Sequence, residues 1–184
     1  MLPDNDYSIQ TGSDVSFGGF TVSYWSAWDE KNSNMIETDW TLDYSHDFGE
    51  MFSGSIGNIM YTWDGQSTNE AYVSGTLNTL LSPSLALYLD YQLFHTLYAT
   101  LGVSHDLSLG ENMTLGLGAQ ISYNDADSGG FFQNIEIPVN LGFAISDLVS
   151  IDASFLYSGP LSDDARLAGI SDEYVGGLSA TLAF

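Results

Sequence analysis

Along most of this chain large apolar residues recur at every second position, a period of two that predicts extended strands rather than helices. Reading back from the end, Phe184, Leu182, Ala180, Leu178, Gly176 and Tyr174 share one face, and Ala183, Thr181, Ser179 and Gly177 share the other. From Asn112 to Asn124, Met113, Leu115, Leu117, Ala119, Ile121 and Tyr123 oppose Thr114, Gly116, Gly118, Gln120, Ser122 and Asn124. Further on, Ile135, Ile137, Val139, Leu141, Phe143 and Ile145 alternate with Asn134, Glu136, Pro138, Asn140, Gly142 and Ala144. Marking every such segment predicts about ten strands, at 13–28, 37–48, 53–63, 70–81, 85–94, 97–107, 113–124, 134–145, 149–158 and 174–184.

The connections between these segments alternate in length. Short turns fall at 49–52, 82–84, 110–112 and 146–148, and longer polar stretches at 29–36, 64–69, 125–133 and 159–173, with His95-Thr96 the exception. Tight turns on one rim and long loops on the other predict an all-β fold, a ten-stranded antiparallel transmembrane β-barrel of the outer-membrane type. Residues 1–184 then form one barrel domain, with 1–12 a periplasmic N-terminal segment and both termini on the short-turn rim. Ten residues at about 3.3 Å each, tilted by about 40°, reach roughly 25 Å, the height of the apolar band of such barrels. Trp25, Trp28, Trp40, Tyr61, Trp63, Tyr123, Tyr157 and Tyr174 near the long loops, and Phe48, Phe52 and Phe184 near the turns, fit two interfacial girdles.

A soluble barrel or sandwich also alternates, and the period alone leaves open which face is inside. Residue size separates the two. One face is Ser, Thr, Gly, Asn and Asp, which fill a dry core badly but line a wet lumen, leaving Leu, Ile, Val, Phe and Tyr for lipid.

Composition narrows the partners. The 184 residues hold 24 Asp and Glu against 2 Lys and Arg, a formal charge of −22, with 44% hydrophobic and 14% aromatic residues. That is too apolar for a disordered acidic tail. Lys31 and Arg166 cannot neutralise a phosphate backbone or an anionic headgroup surface, so nucleic-acid binding is excluded as a main role. The absence of Cys removes disulfides, thiolate metal sites and a Cys nucleophile. No apolar run reaches the 18 residues a transmembrane helix needs. Met1-Leu2-Pro3-Asp4 lacks the basic flank and apolar core of a secretory signal. Together with the barrel pattern, this places the expected location in a bacterial outer membrane, after removal of a signal peptide.

Several segments resemble a known family. Gly19-Phe20-Thr21-Val22-Ser23-Tyr24-Trp25, Glu37-Thr38-Asp39-Trp40, Tyr61-Thr62-Trp63 with Asn69-Glu70-Ala71-Tyr72-Val73, the stretch from Leu85 to Asp90, and Glu173-Tyr174-Val175-Gly176-Gly177-Leu178 are similar to the small outer-membrane porins of proteobacteria of the TorF type. The resemblance implies an outer-membrane barrel made with a signal peptide and a porin role. The terminal Phe184 with alternating apolar residues likewise resembles the signal read by barrel-assembly machinery.

The acids sort by position. Asp4, Asp6, Glu50, Glu111 and Asp147 fall at the turn rim, as solvated turn residues. Glu37, Asp39, Asp43, Asp47, Asp90, Asp106, Glu136 and Asp152 fall on strand positions opposed to apolar neighbours, which predicts a lumen and cation pathway. With no Lys or Arg on a strand, water and mobile cations are expected beside them, with Asp43 and Asp90 near the midplane. The opposing reading is a lumen plugged by Tyr72, Tyr88, Gln92, Tyr98 and Gln120, which makes the chain a non-conducting barrel that docks a partner protein. In the outer loops, Asp125, Asp127, Asp163 and Asp164 offer oxygen ligands to a hard metal cation, although Asp125-Ala126-Asp127 lacks the closing Glu of a calcium loop.

The same chain offers little to catalysis. His46 and His105 fall on the apolar series, His95 lies in a short connection within possible reach of Ser67, Ser128 or Asp125, and no hydrolase or acyltransferase pattern surrounds them. The glycines precede no strand-to-helix turn that would cradle phosphate. The expectation is therefore a non-enzyme without cofactor. Its partners are membrane lipid, lipopolysaccharide, small cations or solutes, and a protein partner or second copy.

Overall fold

The computed structural model describes residues 7–29, 31, 34–126 and 129–184. Its strands are β1 (Ser8–Phe17), β2 (Phe20–Asp29), β3 (Asn34–Asp47), β4 (Phe52–Trp63), β5 (Gln66–Leu77), β6 (Ser84–Asp90), β7 (Leu97–Ser108), β8 (Met113–Ala126), β9 (Gly129–Ala144), β10 (Val149–Pro160) and β11 (Glu173–Leu182), with a short helix α1 (Asp163–Leu167) before the last. The strands are hydrogen-bonded neighbours in sequence order, and the order starts at β1 and ends at β11. The expected ten-stranded closed barrel is corrected on both counts. Among the described residues there are eleven strands, and their hydrogen-bonding order is an open one.

The extra strand comes from the segment read as one strand over 13–28. It folds back at Gly18-Gly19, where φ is +58° and +86°, and pairs Phe17 with Phe20, Val15 with Val22 and Ser8 with Asp29. Positive φ at both central residues defines a two-residue hairpin turn whose twist matches the flanking strands, and glycine adopts it without strain. The consequence reaches the N-terminus. Ser8 pairs with Asp29, at the end of β2 away from the 18–19 turn, so residues 8–12 lie in strand β1. Asp4 and Asp6 lie outside the described residues.

The strands also run into stretches expected to be loops. Asp64 and Gly65, at φ +45° and +75°, close a second two-residue hairpin between β4 and β5. Likewise β8 and β9 extend to Ala126 and from Gly129. Of the expected long loops the stretch after β10 keeps most of its length, over 161–172, and α1 interrupts it. Ser162 caps that helix by accepting a hydrogen bond from the Ala165 backbone N–H.

Burial is inverted relative to a water-soluble domain. The buried apolar residues among those described are three alanines, Ala27, Ala86 and Ala165, whereas Ser26, Thr68, Asp90, Ser122 and Asn134 are buried polar residues. Large apolar side chains such as Val22, Leu42, Ile56, Val73, Leu101, Leu141 and Phe155 are exposed. Long-range packing divides the chain into two compact units, Met1–Gly75 with Ala86–Leu97, and Thr76–Leu85 with Tyr98–Phe184. Among the described residues no helix is long and apolar enough to cross a membrane, which has no bearing on crossing by strands.

Candidate functional site

In the first unit the pairing register determines which side chains share a face. Tyr24, Val22 and Phe20 of β2 lie opposite Trp40, Leu42 and Tyr44 of β3, and ring contacts of 5.0 Å between Tyr24 and Trp40 and 4.8 Å between Phe20 and Tyr44 fix this apolar face. The intervening residues form the other face. There Thr21, Asp43 and Gly57 are aligned across three strands, as are Trp25, Asp39 and Tyr61. A register shift between Ala27 and Trp28 leaves Ile36 between the partners of those two residues and sets Glu37 opposite Ala27. Glu37, Asp39, Asp43 and Asp47 therefore line one wall of one face, with Asp47, opposite Ser53, exposed at the end. Trp25, Tyr61 and Trp63, read from sequence as a girdle, share the acid-bearing face instead.

Each of these acids has its own surroundings. Asp43 accepts hydrogen bonds from Ser45 Oγ and Tyr72 Oη, both at 2.5 Å, and the Tyr72 ring contacts Tyr88 at 5.6 Å between centroids. One oxygen of Asp39 is buried without a hydrogen-bond partner among the described residues. Asp90 stands at the end of β6 rather than mid-strand and is only 3% exposed. Its carboxylate accepts from Thr68 Oγ1 at 2.7 Å and from the backbone N–H groups of Gln92, Leu93 and Phe94 at 3.1, 2.9 and 3.0 Å. Those four donors organise the 91–96 connection, so Asp90 holds a loop as well as carrying charge.

Glu70 was not among the acids singled out from sequence, because it stood at the first position of its expected strand. It accepts from Tyr61 Oη at 3.0 Å. Its spacing of two from Tyr72, already assigned to the polar face, was the available signal. Gln92, expected as a plug, bonds instead to Asn69, which in turn bonds to Asn58, the register partner of Leu42 on the apolar face.

The same unit holds a cavity of about 420 Å³ beside the 64–65 turn, walled by Glu37, Tyr61, Trp63, Glu70, Asp90 and Phe94 among others. Trp63 and Phe94 are stacked at 6.1 Å between centroids and 16° between planes. The alternation of β4 puts Tyr61 and Trp63 on one face, and the loop held by Asp90 brings Phe94 to them.

The second unit carries the remaining predicted acids. Glu136 accepts from Asn134 Nδ2 at 3.0 Å and from Gln120 Nε2 at 3.3 Å, while Asn134 also donates to Ser158 Oγ at 2.9 Å and accepts from Ser122 Oγ. Asp152 lies opposite Gly142 and accepts from Ser150 Oγ at 3.4 Å, and Asp106 is exposed. Asp163 and Asp164 occupy the first turn of α1, where negative charge complements the helix dipole, and Asp125 pairs with Gly130 at a strand end. Asp127 and Ser128 lie outside the described residues. Among the described residues no three His, Cys, Asp or Glu side chains are grouped so as to hold a metal ion. Of the histidines, His46 packs edge-on against Phe48 at 4.7 Å and His105 Nδ1 is 2.7 Å from the Leu80 carbonyl oxygen, while His95 sits at φ +52° in the connection before β7.

A solved structure of the NanC porin, in a rhombohedral crystal form, is similar to this chain with a TM-score of 0.73 over 97% of it and 94% of the porin chain. The two chains share a fold. Identity to that structure is 9%, so the likeness extends to the path of the chain and not to the residues on the polar face. No protein-family model matches the sequence, so the TorF-type resemblance is not shown, and no curated protein matches it either.

Proposed function

We propose that this chain is an outer-membrane β-barrel whose acid-bearing face lines a narrow passage favouring small cations. The observation that carries the reading is the inverted burial: among the described residues alanine supplies the buried apolar side chains, and Leu42 and Ile56 are 54% and 60% exposed on the face opposite Asp43. In water, so much exposed apolar surface on a monomer is unfavourable. In hydrocarbon it is the solvated surface, and polar groups must turn inward. A bilayer tolerates no unpaired sheet edge, so the proposal requires the strand order to close into a barrel in the membrane. The porin fold supports this, as do outward aromatic pairs such as Tyr24 with Trp40.

Selectivity follows from charge. With 24 acids and 2 basic residues, the polar face attracts cations and repels anions. Surface acids of the connections meet the divalent cations that bridge lipopolysaccharide, which makes the outer leaflet a partner alongside membrane lipid.

A second reading has its own support. Tyr72 bridges Asp43 and contacts Tyr88, so bulky rings fill part of the polar face. That favours a non-conducting barrel that serves as a scaffold for a protein partner or a second copy.

Planar-bilayer conductance of the detergent-folded chain under a KCl gradient separates the two. The channel reading expects discrete steps with a cation-selective reversal potential that moves toward zero in Asp43→Asn. Insertion without current in wild type and in Tyr72→Ala alike favours the scaffold, and extraction of the native protein from cells without detergent overturns the membrane reading altogether.

A further inference from the structure

We infer that the cavity beside the 64–65 turn is a binding site for a small organic cation, an alkylammonium or quaternary ammonium group. The inference stands on the geometry of the first unit alone and does not require the passage to conduct.

Three features of the cavity agree on that ligand. The first is size: about 420 Å³ lies within the range of small-molecule sites and far exceeds what a bare ion occupies. The second is the aromatic wall. Trp63 and Phe94, stacked at 6.1 Å, stand with Tyr61 against the same space, and ring faces attract a weakly hydrated cation through their quadrupoles. The third is charge. Glu37, Glu70 and Asp90 all border the cavity, and among the described residues no basic side chain is in its wall.

The roles differ among the carboxylates. Asp90 is saturated by Thr68 and three backbone N–H groups, so it contributes field rather than a direct contact. Glu70 is oriented by Tyr61 Oη at 3.0 Å through one oxygen, Oε1. Glu37 faces the space from the start of β3. A hard divalent ion requires about six to eight oxygens in one tight shell, and no trio of ligand side chains among the described residues supplies even the beginning of one. An organic cation needs only scattered negative charge and an aromatic surface. That is what the cavity offers.

The test is equilibrium binding of choline to the full chain folded in detergent, read by tryptophan fluorescence and by calorimetry. Its neutral isostere 3,3-dimethylbutan-1-ol runs in parallel. Choline is expected to saturate, and to bind about tenfold more tightly than the alcohol. Trp63→Leu is expected to weaken choline about fivefold or more, Trp63→Phe less, and Glu37→Gln combined with Glu70→Gln about tenfold. Asp147→Asn, a turn residue of the second unit, is expected to leave binding unchanged. Gel mobility before and after boiling confirms that each variant is folded. Absence of saturable choline binding by the folded wild type overturns the inference. So does equal affinity for the neutral alcohol, indifference to both Trp63→Phe and the double Glu variant, or stronger competition by MgCl2 than by NaCl at equal ionic strength.

Discussion

Gly57 faces Asp43 across β3 and β4, and the ring of Tyr72 occupies the space a side chain at Gly57 would need. A Cβ there would stand 2.6 Å from the Leu42 carbonyl oxygen and 2.6 Å from Cε1 and Cζ of Tyr72. The absence of a side chain is what lets Tyr72 reach Asp43. At two other glycines the acid itself takes the space: a Cβ at Gly142 would stand 2.8 Å from Asp152 Oδ1, and one at Gly116 3.0 Å from Asp106 Oδ1. Three acids of the polar face thus each have a glycine beside them.

Gly57→Ala is therefore expected to displace the Tyr72 ring, break its hydrogen bond to Asp43 and cost about 1–3 kcal/mol, as overpacking does. Tyr72→Phe removes only the hydrogen bond and should cost about 1 kcal/mol. Urea unfolding of the detergent-folded chain, followed by tryptophan fluorescence, measures both. Combined, the two substitutions should cost less than their sum, because they act on one contact. Strict additivity would show that Gly57 and Tyr72 act separately.

The turn at Gly18-Gly19 yields a second prediction, because it decides between ten strands and eleven. Gly19 has φ +86°, and a Cβ there would lie 2.8 Å from the Ser45 carbonyl oxygen, while Gly18 at φ +58° has open space around it. Gly19→Ala should cost about 1–3 kcal/mol, and Gly18→Asn should be nearly neutral, since Asn accepts the left-handed region. Unfolding midpoints of the two variants report this difference. Equal, small effects at both positions would mean that the segment runs straight through.

That turn also shows what the sequence could convey. The period of two marked nearly every strand, because a sheet with one polar and one apolar face leaves alternation in every segment. The wall of Glu37, Asp39, Asp43 and Asp47 followed directly from that period and appears on one face. Turns were harder to see. Gly18-Gly19 and Asp64-Gly65 are both strong hairpin pairs, yet the alternation continues on both sides of each, so the first was absorbed into a strand and the second into a loop. The cavity was less legible still. It depends on a bulge at Ala27 and on a loop tied to Asp90, and neither a register shift nor a loop's path is written in alternation. Trp63 and Phe94 meet across 31 positions of sequence, which only the fold brings together.

Asp90 supports a third prediction. Asp90→Ala removes the acceptor for Thr68 and for three backbone N–H groups of the 91–96 connection. Loss of that acceptor to the buried Thr68 hydroxyl and to the part-buried backbone donors should cost about 1–3 kcal/mol, the Leu93 N–H keeping Thr68 Oγ1 at 3.2 Å. Asp90→Asn keeps one acceptor oxygen and should fall between. Hydrogen exchange resolved by residue is the sharper measurement: the amides of Gln92 and Phe94 should lose protection in Asp90→Ala, while those of Val22 and Leu42 keep theirs. Uniform loss across the unit would mean that Asp90 supports the whole sheet rather than one loop.

The inverted burial is open to the most direct test of all, because the two faces of one strand should respond in opposite ways to the same substitution. Leu42 is 54% exposed and lies between Val22 and Asn58 in the register, and its neighbour Thr41 points to the face of Asp39 and Asp43. If lipid covers the face of Leu42, Leu42→Lys must hold an ammonium against hydrocarbon, at a cost of about 2–4 kcal/mol near the bilayer midplane. At Thr41 a lysine enters a field of carboxylates in a wet lumen, so Thr41→Lys should fold as well as wild type and reduce cation selectivity. Folding yields into phosphatidylcholine vesicles, followed by protection from protease, measure both at once. In a water-soluble barrel the order reverses: Leu42→Lys would replace an exposed apolar side chain with a charged one at no cost and improve solubility.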